Sequence, residues 1–269
     1  MLRFYLILAS VCSSYLMFTQ NIRYNQTKND SLIIFNLVNK TPAPLTFNGK
    51  KTSDLNISLL DTLLVCPPMD SITGIFSFPK KLRDDNPDLE LGEHLDLRLA
   101  FGVKLKDEDI IDYKYELPFL SGRKYKIMQG FNGRFSHQSD QSRYAIDFAM
   151  PIGDTIVAAR SGYVVNTKSH FTERGGKSFR SKANQIVIYH DDGTLAFYVH
   201  LDTNGVLVNV GDYVEVGDKI GIAGFTGYTT KPHLHFVVRN FRKAIPIEFK
   251  EKKGIGKKSG VWAKKKKRK

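Results

Sequence analysis

Pro232-His233-Leu234-His235-Phe236-Val237-Val238 decides how the chain is read. Side chains of an extended segment alternate at period two, so His233 and His235 share one face of a strand. Leu234 and Phe236 fall on the other face, and Val237-Val238 continues a β-branched run suited to burial. Two titratable rings side by side on an apolar strand look like the wall of a site. The chain has seven histidines, and the question is which others converge on this pair.

A length of 269 residues leaves room for two ordinary domains, and 42% hydrophobic with 12% aromatic residues is ample for packed cores. The formal charge of +13 is unevenly spread. Residues 250–269 carry eleven Lys/Arg against the single acid Glu251, which leaves only +3 for residues 1–249. This basic tail has one Trp, Trp262, and ends in six consecutive basic residues. Composition predicts that it is disordered and meets an anionic polymer or lipid surface electrostatically. No base-reading module accompanies the charge, so nucleic acid is not an expected partner.

At the other end Arg3 precedes the apolar run Phe4-Tyr5-Leu6-Ile7-Leu8-Ala9-Ser10-Val11, with largely apolar sequence to Phe18. The charged-then-hydrophobic order predicts a signal peptide or N-terminal anchor over residues 1–20, and hence export to the periplasm, cell envelope or medium. Cys12 lies inside that segment, which leaves Cys66 alone in the mature chain. A lone thiol makes neither an internal disulfide nor a cysteine zinc site, so Cys66 is expected to be buried. Any metal must be held by His and carboxylate.

From about Ser31 to Leu105, short alternating segments punctuated by Pro, Asn, Asp and Gly predict an antiparallel β-domain, sandwich-like, spanning residues 25–118 with its linker. It shows no cluster of titratable groups, and His94 is read as a surface residue. The linker is Lys106 to Glu116. From Gly122 onward glycine is denser and strands are clearer, with Asp192-Gly193 a hairpin signal. Ser169 to Lys182, polar and basic with Gly175-Gly176, is read as a mobile loop. Helical periodicity is missing past residue 120, so the whole protein is expected to be all-β.

Three further elements surround the opening pair. His137 follows Gly133-Arg134-Phe135-Ser136, and Asp147 sits inside Tyr144-Ala145-Ile146-Asp147-Phe148, where a carboxylate must be paired, capped or metal-bound. His200 ends the apolar run Leu195-Ala196-Phe197-Tyr198-Val199. His170 in the basic loop and His190 beside the Asp191-Asp192-Gly193 turn are read as exposed.

Together these elements make the run from about Met128 to Arg239 resemble the catalytic domain of lysostaphin/LytM-type zinc metallopeptidases, which are peptidoglycan endopeptidases. The matched elements, in family order, are Ser136-His137 with Tyr144 to Phe148, Pro151 to Gly162, Tyr198-Val199-His200-Leu201, Gly211 to Gly227, and Pro232 to Phe236. The resemblance implies an antiparallel β-sheet peptidase domain over residues 119–249. It implies one zinc ion held by His137, Asp147 and His235, with His200 and His233 as the catalytic pair facing the water and the scissile carbonyl. Which of the two is the general base stays open. The implied function is zinc-dependent hydrolysis of peptide bonds in bacterial peptidoglycan, in cross-links or stem peptides.

Two departures stand out. The ten-residue step from His137 to Asp147 is longer than the family's shortest form, so residues 138–143 must bulge between the ligands. Val237 stands where an acidic residue is common. The alternatives are a non-catalytic wall-binding protein or activator of another hydrolase on the same fold, and a biotinyl or lipoyl carrier. The carrier is suggested by the Gly211-Asp212 and Gly217-Asp218 echo, with Lys219 as its attachment point.

Overall fold

The structure is a computed structural model that describes residues 16–19, 21–60 and 63–267. It divides into two compact units, Met1–Val103 and Lys104–Lys269. The expected signal segment lies outside the described residues except for Leu16–Thr19, a strand paired with Ile22–Lys28. Among the described residues, no helix is long and apolar enough to cross a membrane.

The first unit has a five-stranded and a three-stranded antiparallel sheet. Strands Leu32–Asn39 and Asp70–Pro79 of one, and Leu45–Lys51 and Leu95–Phe101 of the other, send alternate apolar residues into a common core. Phe35 stacks on Phe76 at 4.3 Å there, and Cys66 is fully buried in the same cluster. His94 is half-buried, its Nδ1 2.8 Å from Ser53 Oγ.

The second unit is built on a nine-stranded sheet. Its central run is Gly162–Lys168, Gln185–Tyr189, Leu195–Val199, Leu234–Asn240, Ile146–Phe148 and Lys124–Gln129, each antiparallel to its neighbour. One face of this sheet packs against the small sheet of Thr155–Val157, Lys219–Ala223 and Leu201–Val206, with Ile156, Leu201 and Ile220 fully buried between them. Residues 106–116, expected as a linker, belong to this unit: Lys114–Tyr115 pairs in parallel with Glu248–Phe249, and the following Leu117 and Phe119 are buried in its core. Their apolar side chains outweigh the acidic cluster before them, which forms only a short turn of 3-10 helix at Asp107–Asp109.

The expectation of a disordered tail over 250–269 is also corrected, as far as residue 267. Trp262–Lys264 adds an antiparallel edge strand to Lys124–Gln129, with Tyr125 opposite Ala263. The run alternates: Val261, Ala263 and Lys265 face inward, while Trp262, Lys264 and Lys266 face out. Counting charges missed this pattern, because the buried Lys265 finds partners, its Nζ donating to the Leu117 carbonyl at 2.8 Å and meeting Glu116 at 3.2 Å. Removing residues 261–269 is therefore expected to lower the melting temperature by roughly 5–10 °C, whereas removing 266–269 leaves it nearly unchanged. Scanning calorimetry of the two truncations checks this, and equal melting of both would return the segment to a loose tail.

Candidate metal centre and active site

The site grows out of strand alternation. In Ile146-Asp147-Phe148 the two apolar side chains are fully buried in the core, so Asp147 projects from the opposite face. Leu234 and Phe236 do the same on the neighbouring strand and turn His235 to the same side as Asp147. Ile146 lies opposite Phe236, Asp147 opposite His235, and Phe148 opposite Leu234. Directly opposed side chains in an antiparallel pair are near neighbours, and here His235 Nδ1 is 2.8 Å from Asp147 Oδ1.

His137 reaches the same point from the turn before Asp147. Its Nε2 is 3.2 Å from Asp147 Oδ1 and 3.3 Å from His235 Nδ1. The donor atoms of His137, Asp147 and His235 all lie within 4.8 Å of one another. His137 is completely buried, and its Nδ1 is 2.8 Å from the Gly130 carbonyl. A carbonyl only accepts, so Nδ1 carries the proton and Nε2 turns a lone pair toward the other two donors. Two imidazole nitrogens and one carboxylate oxygen, with one ring locked in the ligating tautomer, fit zinc.

Electrostatics agree with that set. Burial alone would raise the pKa of Asp147. The neighbouring His137, His235 and His233 rings outweigh it and hold the carboxyl well below the usual range. Burial lowers His235, with Asp147 opposing it incompletely. Burial also pulls on His137, but Asp147 prevails there and raises it.

Gln129 was invisible in the sequence. Its Nε2 donates to Asp147 Oδ2 at 3.2 Å and to Ser136 Oγ at 2.8 Å, and its Oε1 accepts from the Phe135 amide at 3.0 Å. One amide thus ties the carboxylate to the turn that delivers His137. An amide neither titrates nor belongs to a ligand motif, so only the fold reveals it. Behind this turn, Gly130 and Gly256 permit a close approach. A Cβ on Gly130 would stand 2.4 Å from the Gly256 carbonyl oxygen, and one on Gly256 2.6 Å from the Phe131 ring. The Gly256 carbonyl accepts the Phe131 amide, and Ser259 Oγ accepts the Gly130 amide.

His200 and His233 complete the constellation. His233 lies two residues before His235, and its Nε2 is 3.7 Å from Asp147 Oδ1. His200 ends its strand in the left-handed region at φ 70°. That conformation is costly for a non-glycine residue, of order 1–3 kcal/mol. Its ring lies 4.7 Å from His233 and 5.9 Å from His235, centroid to centroid. His200 Nδ1 meets the Thr226 carbonyl at 2.7 Å, and His233 Nδ1 meets the Lys231 carbonyl at 2.8 Å. Both rings therefore keep Nδ1–H and leave Nε2 free to accept. Burial first, then His233 and His235, push His200 down to about 3, so it is neutral at physiological pH.

The other sequence expectations divide. Residues 138–143 do bulge out, held where Arg239 Nε donates to the Gln141 carbonyl and Asp140 pairs with Arg143. Val237 packs with Ala145 and Ala244. His170 is exposed. His190 is not: it is fully buried, with Nδ1 2.8 Å from the Ser161 carbonyl, and burial lowers it to about 4. The turn beside it closes over Arg160, which pairs with Asp191 and Asp192 and stacks on Tyr113 at 4.3 Å. Segment 169–182 is anchored rather than loose. Arg174–Gly175 pairs in parallel with Gly227–Tyr228, and Asn184 Nδ2 and Thr203 Oγ1 both donate to the Phe171 carbonyl.

Residues 141–247 match the sequence profile of Peptidase family M23. An uncharacterized metalloprotease of Buchnera aphidicola is 39% identical over 133 residues, covering 48% of this chain and 32% of that protein. Lysostaphin of Staphylococcus simulans is 38% identical over 124 residues, covering 44% and 23%. Peptidoglycan DD-endopeptidase ShyA of Vibrio cholerae is 34% identical over 116 residues, covering 42% and 24%. The chain thus spans a third or less of each of these relatives. The solved catalytic domain of S. simulans lysostaphin is 30% identical, with 46% of this chain and 87% of that chain covered, at a TM-score of 0.34.

Replacing Gln129 with Ala should weaken zinc binding by roughly 10–100-fold, measured by competition with a chelator. Affinity equal to that of the unaltered protein would remove Gln129 from the site.

Proposed function

We propose that this chain, whose residues 141–247 match Peptidase family M23, is an exported zinc endopeptidase cutting peptide bonds of bacterial peptidoglycan. The observation that carries the proposal is the convergence of His137, Asp147 and His235 on one point, with two carbonyl-anchored histidines beside it. In this reading the first three hold the metal. Zinc bound there supplies Lewis-acid polarisation of the scissile carbonyl and an activated water.

The remaining chemistry falls to His200 and His233. With Nδ1–H committed to a carbonyl, a ring at either position in its neutral form presents only an acceptor at Nε2. Neither can donate a hydrogen bond from Nε2 until it has taken a proton. The pair therefore first removes a proton from the attacking water. The imidazolium so formed has its new proton on Nε2, where it can stabilise the tetrahedral oxyanion and then protonate the leaving amine. Near-complete burial keeps both rings in register for that sequence.

The basic segment keeps a part in the proposal, in folded form. Lys124 lies opposite Lys264, and Lys126 opposite Trp262, all exposed on one face of the edge ribbon. Like charges set opposite one another repel, and an anionic wall polymer or membrane surface would relieve that repulsion.

Asp147→Ala is expected to abolish near-stoichiometric zinc together with digestion of purified wall. His200→Ala and His233→Ala should each keep zinc but lose roughly 10²–10⁴-fold in kcat. Wild-type rates in both histidine variants would overturn their roles, and zinc without hydrolysis in the unaltered protein would favour a non-catalytic wall-binding function. Changing Lys124, Lys126, Lys264 and Lys266 together to Gln should weaken sedimentation with wall or anionic vesicles at low salt, an effect that fades as ionic strength rises. Unchanged low-salt sedimentation would end the tether.

A further inference from the structure

The loop that anchors the reacting histidines also carries two arginines. Segment 225–229 supplies the Thr226 carbonyl to His200 and the Thr229 hydroxyl, 3.2 Å from His233 Nδ1. Between and beside these contacts stand Phe225 and Tyr228. The Arg174 guanidinium lies over the Phe225 ring at 4.4 Å, and that of Arg180 over Tyr228 at 5.6 Å. Tyr228 also stacks on Phe135 at 5.8 Å with an interplanar angle of 20°. Phe135 is two residues before His137 and 61% exposed, so the stack joins the turn delivering a metal ligand to the loop orienting the catalytic pair.

The charge of the two arginines is uncompensated. Segment 169–182 holds four basic side chains and one acid, Glu173, which is taken by Lys182 at 2.5 Å. Among the described residues, neither Arg174 nor Arg180 has a hydrogen-bond or ion-pair partner. A guanidinium stacked on an aromatic face keeps its N–H groups in its own plane, parallel to the ring and free to grip a carboxylate in bidentate fashion. Stacking also restricts the long side chains before any ligand arrives, which lowers the entropic cost of binding. The parallel pairing of Arg174–Gly175 with Gly227–Tyr228 ties this wall to the anchoring loop.

We propose that Arg174 and Arg180 form a carboxylate-binding subsite beside His200 and His233, so that the bond cut lies next to a free carboxylate of a wall peptide rather than within an uncharged glycine chain. The inference rests on the endopeptidase reading above and supplies the substrate class that the catalytic residues leave open. A substrate lacking the carboxylate leaves the subsite filled only by water and loses the charge-assisted bonds.

The test uses a cross-linked wall peptide with free carboxylates beside the scissile amide and its twin in which those groups are carboxamides. Binding is measured by calorimetry on zinc-loaded full-length protein carrying His200→Ala, so that turnover does not interfere. Hydrolysis is followed separately with the unaltered protein. The carboxylate form should bind about tenfold more tightly than the carboxamide form, and the ratio should fall close to one when Arg174→Gln and Arg180→Gln are added. Equal affinity for the two forms, or binding of neither, overturns the subsite whatever the hydrolytic rate. A ratio that survives both Arg substitutions assigns the discrimination elsewhere and also overturns it. Discrimination that depends on the arginines, with no hydrolysis of either peptide by the unaltered protein, upholds the subsite while removing the endopeptidase reading.

Discussion

The second unit depends on one cross-strand pair, Asp147 opposite His235. A slip of either strand by a single residue would turn its polar side chain into the core and expose its apolar neighbours, Ile146 and Phe148 or Leu234 and Phe236, to water. At roughly 1.5–3 kcal/mol for each large apolar side chain, that alternative is unaffordable. Hydrophobic burial thus fixes the register, and the register places carboxylate and imidazole 2.8 Å apart. The site needs no separate organising force on this side.

The backbone supplies the second constraint. The carbonyls of Gly130, Thr226 and Lys231 hold the Nδ1 atoms of His137, His200 and His233. Each contact selects a tautomer and a ring orientation together. Carbonyls do not titrate, so the arrangement is insensitive to pH where a carboxylate partner would not be. His235 differs, with its Nδ1 toward Asp147 and no carbonyl between them.

Much of this was legible in the chain because period-two alternation carries fold and site in one signal. His235 could be set on a strand face from its apolar neighbours alone, and Asp147 marked as paired or metal-bound from its own, whereas His233 stands just before the strand that begins at Leu234. What could not be read has specific causes. His200 leaves its strand through a left-handed residue, which no alternation pattern announces. Gln129 acts through hydrogen bonds to residues seven and eighteen positions away. Asp191 and Asp192 signal an exposed turn, but that turn folds onto Arg160 and buries His190. In the last twenty residues lysine count hid the inward alternation of Val261, Ala263 and Lys265. Composition averages over the two faces that a strand separates.

The close approach of Gly130 and Gly256 has a temporal consequence. The carbonyl that orients His137 belongs to a residue braced by Gly256 and Ser259, which leave the ribosome after all five of His137, Asp147, His200, His233 and His235. Until they dock, the turn at Gly130 lacks its backing and the first of those rings has no fixed bearing. A chain emerging from synthesis therefore carries His137 without its brace, and that side of the site matures only after residues 256–259 have emerged.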